Sequence, residues 1–293
     1  MCTNPMGFRK KEDAKHYSMK QVLSRIRTER NKIVESGEEL GLTGGEPTIH
    51  PDFLEIMREL RAMLPENTIA VTTNGRRFVY EKFAREVLKL NNLRFHIAVH
   101  SEDAKTHDAI TCSPGSFDQT MKGLENIFKY RNKSHMIELR IILLKQNYKN
   151  LDNICRFLYQ RFPEAERVCI LFPEYEGRAE KNFKDVSVSL PEVKPYVEKV
   201  ADNWGKKMKN FHLYHFPLCV VDSRHWKHVL RSIPPDHHEI FFLEKCDKCF
   251  YKRACLGVYK DYVNHFGSEH FNPILKAKKG INVDWEDYHR PIK

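Results

Sequence analysis

Eight cysteines stand in a chain of 293 residues: Cys2, Cys112, Cys155, Cys169, Cys219, Cys246, Cys249 and Cys255. Four of them crowd into the stretch from Cys219 to Cys255. The N-terminus lacks the charged-then-apolar pattern of a secretion signal, so clustered thiols point to metal binding or redox chemistry and away from a disulfide scaffold. Cys246-Asp247-Lys248-Cys249 followed by Cys255 gives the spacing CxxCxxxxxC, and Cys219, after Phe216-Pro217-Leu218, supplies a fourth thiol. Four thiolates close a metal site: they suit tetrahedral zinc or a [4Fe–4S] cluster, and spacing alone admits both. Either would be structural or electron-relaying, with no position left open for a substrate. Cys155 falls on the apolar face of an expected helix and Cys169 in an apolar strand, where both read as core. Cys112 falls in an expected loop. His225, His228, His237 and His238 share no ligand spacing and read as surface residues.

A second candidate lies near the start. Leu42-Thr43-Gly44-Gly45-Glu46-Pro47-Thr48 follows a short apolar run. Paired glycines let a small polar ligand approach the backbone, and Glu46 adds a negative charge suited to an ammonium group. Taken alone, the same residues also describe a simple turn.

The elements that must position these residues alternate in type. Helical spacing marks Met19, Val22, Leu23, Ile26, Ile33 and Val34, then a helix opened by His50-Pro51-Asp52, with Phe53, Ile56, Met57 and Leu60 on one face. Further helices are expected at 81–90, 117–130, around 151–158 and at 190–204. Strands are expected at 40–42, 68–72, 93–99, 137–144 and 168–172, the second of them ending at the turn Asn74-Gly75. Strand–helix alternation predicts an α/β fold with a parallel sheet. Five strands before residue 173 are too few for an eight-stranded barrel, so an open or partial barrel is expected, with its ligand at the carboxyl ends of the strands. The rhythm stops near residue 212. Phe211 to Phe216 alternates as a strand with one wet face would, with a substrate-lining role as an option. The division is therefore 1–212 for the α/β part and 213–293 for a Cys-rich extension that needs a metal to hold it together.

Hydrophobic residues at 41% and charged residues at 30% argue against wholesale disorder. No apolar run reaches the roughly 18 residues of a membrane helix, and a soluble cytoplasmic protein is expected. Lysine plus arginine exceed aspartate plus glutamate by 49 to 39, a net +10 that favours an anionic partner such as RNA or else marks a solvated basic surface.

In combination these features resemble the radical S-adenosylmethionine (SAM) enzymes. Cys2 in Met1-Cys2-Thr3-Asn4-Pro5, a following helix and Gly44-Gly45-Glu46-Pro47 come in that family's order. Thr72-Thr73-Asn74-Gly75, His100-Ser101 through His107-Asp108, Pro114 to Phe117, Glu138-Leu139-Arg140, Lys145-Gln146-Asn147, and Phe172-Pro173 with Gly177-Arg178-Ala179 continue the match. The resemblance implies a partial (β/α)6 barrel and a catalytic [4Fe–4S] cluster held by a CxxxCxxC motif, of which Cys2 is the third cysteine. The other two, and the first strand, would lie before Met1. It further implies that Gly44, Gly45 and Glu46 contact the methionine amino group of SAM. Asn74 and Ser101 would make polar contacts to ribose or methionine, Arg140 would pair with the carboxylate, and the backbone of Leu171 to Pro173 would face adenine. The Cys-rich end, with Gly257, Tyr262, Gly267, Glu269 and Pro273-Ile274, resembles the auxiliary-cluster (SPASM or twitch) extensions of peptide-modifying members, which favours a second [4Fe–4S] cluster over zinc. The implied function is hydrogen abstraction by a 5′-deoxyadenosyl radical, with an electron donor, on a peptide or other small-molecule substrate. RNA modification is the alternative, and so is a catalytically dead, metal-stabilised binding fragment.

Overall fold

The computed structural model describes residues 17–37, 39–230 and 240–282. Six strands form one parallel sheet in simple order: β1 (Leu40–Leu42), β2 (Ile69–Thr73), β3 (Leu93–Ala98), β4 (Met136–Ile142), β5 (Arg167–Leu171) and β6 (Phe211–Tyr214). Sequential order in a parallel sheet is what the strand–helix alternation predicts. Backbone contacts divide the chain into two units, one running up to Val99 and resuming at Asp103–Arg140, the other comprising His100–Glu102 and the chain from Ile141 onward.

In the first unit, α1 (Met19–Ser36) begins with a capping box, Ser18 and Gln21 each accepting from the other's backbone N–H. α2 (Phe53–Met63) buries Phe53, Ile56, Met57 and Leu60, the face expected from their spacing. Pro51 is not inside this helix: Asp52 is its N-cap, and the proline stands in the preceding turn. α3 (Glu81–Val87) stops short of the expected Leu90. One helix, α4 (Ala104–Thr111), gave no stripe in the sequence because it buries only His107 and Ile110. Its start is fixed instead by Asp103, whose carboxylate accepts from Thr106 N at 2.8 Å. α5 (Ser116–Tyr130) packs close to the loop after β2, and a Cβ at Gly123 would come within 2.2 Å of Gly75 O. Val71, Phe95, Ile97 and Leu139 are fully buried on one side of the sheet, each worth about 2 kcal/mol of transfer free energy. Thr72, His96 and Glu138 stand in register on the other side.

In the second unit, α6 (Leu151–Arg161) and α9 (Leu190–Trp204) flank the short helices α7 (Gly177–Lys181) and α8 (Phe183–Val186). Cys155 and Cys169 are buried core residues. The wet face expected for Phe211–Phe216 is absent from β6: Phe211, His212 and Leu213 are all buried, because β6 pairs with β5 as a member of the main sheet. The expected boundary at 212 thus falls within that strand. His225 and His228 are buried at 3% and 8% exposure, not on the surface. They belong to a 3₁₀ turn at Ser223–His228, which Trp226 pins by donating its indole N–H to Leu218 O and Val221 O. His237 and His238 lie outside the described residues. The antiparallel pair β7 (Ile240–Phe241) and β8 (Val258–Tyr259) leads into α10 (Lys260–Phe266). Among the described residues, no helix is long and apolar enough to cross a membrane.

Candidate active site and thiol corner

In the first unit, the glycine-rich loop leaves β1 and is held by Glu46. Glu46 Oε1 accepts from Thr48 N at 3.1 Å, Thr48 Oγ1 at 2.6 Å and Thr73 Oγ1 at 2.6 Å. Its Oε2 accepts from Asn74 N at 2.7 Å. The carboxylate therefore caps the 3₁₀ turn Pro47–Ile49 and ties it to the carboxyl end of β2. Oε2 has one protein donor among the described residues, so it retains capacity for a second. A Cβ at Gly44 or Gly45 would meet no atom within 4 Å, so neither glycine is required by protein packing. The open space beside them is available to a ligand.

Asn74 is thereby joined to Glu46 through its backbone. Its side chain performs turn chemistry, Oδ1 accepting from Arg76 N at 3.0 Å. Arg140, on β4, ion-pairs with buried Glu138, Nε donating to Oε1 at 2.6 Å. Glu138 Oε2 lies 3.9 Å from His96 Nε2, and His96 Nδ1 lies 3.3 Å from Thr72 Oγ1. Of this polar row the sequence picked out Arg140, with Thr72 and Glu138 inside matched motifs, but not the row itself. Its only signal is that Glu138 and Arg140, two apart on a strand, share a face. Asp108 is structural: its carboxyl is held low by the backbone N–H of Phe117, and it also accepts from Gly115 N and Ser116 Oγ at the start of α5. Cys112 is exposed at the end of α4 in a left-handed conformation. Cys2 lies outside the described residues.

In the second unit, Ser101 is buried and donates to Glu102 Oε2 at 3.2 Å. Cys219, Cys246, Cys249 and Cys255 line one small cavity together with Leu218, Gly257, Val258 and Phe271. Burial, then the neighbouring thiols, pushes Cys219 up to about 12, and burial pushes Cys255 up to about 11. Backbone N–H groups point at the sulfurs: Ile274 N lies 3.4 Å from Cys249 Sγ, Asn272 donates to Cys219, and Leu218 and Gly257 donate to Cys255. Such donors stabilise metal-bound thiolates, so the donor set suits a thiolate-held metal group. Among the described residues, no three Cys, His, Asp or Glu side chains meet closely enough to hold a single metal ion.

The sequence profile of the Radical SAM superfamily matches residues 1–158. A relative from Pyrococcus abyssi, named a probable GTP 3′,8-cyclase, is 30% identical over 251 residues, covering 80% of this chain and 76% of that protein. The chain spans only 51% and 31% of two other relatives of that name, from Sulfurisphaera tokodaii and Mannheimia succiniciproducens. Among solved structures, Streptococcus suis SuiB bound to S-adenosylmethionine aligns with a TM-score of 0.53 at 14% identity, covering 82% of this chain and 50% of that one. Native anSMEcpe, with bound AdoMet and a peptide, aligns with a TM-score of 0.51 at 15% identity, covering 65% of this chain and 54% of that one. At these identities, the two structures speak for a shared fold.

Proposed function

This chain belongs to the radical SAM superfamily, and from that premise we propose that it binds SAM at the Thr43–Thr48 loop and abstracts a hydrogen atom from a carbon of a peptide substrate. The superfamily's [4Fe–4S] cluster and SAM, when bound, supply a 5′-deoxyadenosyl radical. For that cluster this sequence offers Cys2, and a three-thiolate site needs two more ligands. The observation that carries the reading is the state of Glu46. Four hydrogen bonds fix its carboxylate beside two bare glycines, so an ammonium group meets an acceptor that need not reorganise. Arg140, steadied by Glu138, offers a guanidinium to the methionine carboxylate. Asn74, joined to Glu46 through its backbone N–H, serves the ribose or methionine part.

At the thiol corner, Cys219, Cys246, Cys249 and Cys255 would hold an auxiliary [4Fe–4S] cluster. Thiols spread around a cavity suit a cube of irons better than one zinc with bonds of about 2.3 Å. With all four ligands from the protein, such a cluster would pass electrons without binding the substrate directly. The peptide bound by anSMEcpe, whose fold this chain shares, supports the peptide reading. A purine nucleotide is the second reading, favoured by the relatives named GTP 3′,8-cyclase and by the +10 charge. The test is SAM binding by calorimetry to anaerobically reconstituted protein. Glu46→Gln is expected to weaken it at least tenfold, and an unchanged affinity would defeat the reading. Faster 5′-deoxyadenosine release on adding GTP would move the substrate from peptide to nucleotide.

A further inference from the structure

In the second unit, strands β5 and β6 run side by side with Leu171 level with Tyr214, and Phe172 N donates to Tyr214 O at 3.0 Å. Three residues beyond β5 stands Glu174, and the first residue beyond β6 is His215. Parallel sheets bind their ligands at this carboxyl edge. His215 has φ of 68°, in the left-handed region where few residues other than glycine sit. Its ring is flanked by Tyr214, with centroids 4.0 Å apart, and by Tyr259 from β8, at 4.8 Å. Nδ1 lies 3.1 Å from Phe172 O, and Nε2 lies 3.6 Å from Glu174 Oε1. The Tyr259 hydroxyl faces the same carboxylate.

The protonation follows from these partners. A carbonyl oxygen only accepts, so Nδ1 must carry hydrogen. A neutral imidazole would then turn the lone pair of Nε2 toward a carboxylate. Holding one more proton between Nε2 and Glu174 removes that conflict. Besides Glu174, the titratable groups acting on Tyr259 are Tyr214 and the carboxylate of Asp261, which accepts from Tyr262 N at 2.7 Å. Side-chain exposures of 11% for His215 and 19% for Glu174 leave both partly reachable.

We propose that Glu174 and His215, covered by Tyr259, form an acid–base pair that takes a proton from an amide, hydroxyl or thiol of the substrate bound at the carboxyl ends of β5 and β6. This role rests on the radical-enzyme reading above. Joining a substrate carbon to nitrogen, oxygen or sulfur breaks one C–H and one X–H bond and forms one C–X bond. The hydrogen atom leaves to the deoxyadenosyl radical, and one proton and one electron remain. The proton goes to the Glu174 carboxylate, since both nitrogens of His215 already carry one, and an oxidised iron–sulfur cluster is the class of acceptor for the electron.

Two measurements test this. The first is a ¹⁵N titration of the His215 side chain in the intact protein. Both ring nitrogens are expected to stay protonated at neutral pH, where a free imidazole with a pKa of about 6.5 is mostly neutral. Glu174→Gln is expected to abolish that retention. A singly protonated ring at pH 7, indifferent to Glu174→Gln, would overturn the pair. The second uses the reduced holoenzyme with SAM and two probes, GTP and a synthetic peptide carrying cysteine, serine and threonine. His215→Gly keeps the backbone turn, since glycine adopts that φ freely. It is expected to cut product per 5′-deoxyadenosine at least tenfold, with added imidazole restoring it. Product and 5′-deoxyadenosine falling together, without rescue, would make His215 merely structural and sink the role. If the wild-type holoenzyme forms no 5′-deoxyadenosine, the radical reading fails and the substrate role falls with it, while the titration still decides whether the pair shares a proton.

Discussion

The glycine loop and the thiol corner solve opposite problems. Glu46 is a charged group whose needs are met by its own chain: hydroxyls of Thr48 and Thr73 and backbone N–H groups of Thr48 and Asn74. The loop is therefore formed before any ligand arrives. At the other site, four cysteines line one cavity, and burial, with the nearby thiols, favours the protonated form of Cys219 and Cys255. Backbone N–H groups of Asn272, Leu218 and Gly257 offset part of that cost, and a bound metal cation would offset more by displacing the protons. One site is organised by hydrogen bonds within the protein, while on the proposed reading the other would be organised by the metal group it binds.

The largest expected effect separates them directly. Cys255→Ser, or removal of metal by a chelator, should lose about four irons per chain. It should also abolish hydrogen-exchange protection across 240–282, with residues 39–76 unchanged. Loss of protection in both regions would erase the distinction. Next comes pH. Burial lowers His228 to about 4 in the fold, where Nδ1 lies 3.2 Å from Phe211 O. The unfolded chain, with a pKa of about 6.5, binds the proton more readily. The stability this neutral ring contributes is full above about pH 6.5 and is lost as pH falls from there toward about 4, on the order of 3 kcal/mol. Denaturant midpoints of the wild type and His228→Phe, measured from pH 7 to pH 4, should converge at the acid end. Parallel curves would refute the assignment.

Smaller effects probe the loop. Gly123→Ala drives a methyl into the Gly75 carbonyl and should cost about 2 kcal/mol or more in chemical denaturation. Gly45→Ala meets nothing within 4 Å and should change stability by less than about 0.5 kcal/mol while weakening SAM binding severalfold. A stability loss at Gly45 equal to that at Gly123 would show that the loop glycines serve packing.

Much of this arrangement was legible in the sequence. The alternation of strand and helix identified a parallel sheet, because a period of two and a period near 3.6 cannot be confused over long stretches. The loop from Thr43 to Thr48 and the four C-terminal cysteines stood out because few residue types can do their chemistry. The sequence did not reveal α4, whose start depends on the Asp103 cap more than on an apolar stripe. Nor did it reveal the burial of β6, His225 and His228, since a short polar-looking segment is buried only when distant strands and turns close over it. Tertiary structure alone joined Glu46 to Thr73 and Asn74, Arg140 to Glu138, and Glu174 to His215 and Tyr259. Residue type is local information. Which groups share a proton or a charge depends on the register of neighbouring strands and on where their ends meet.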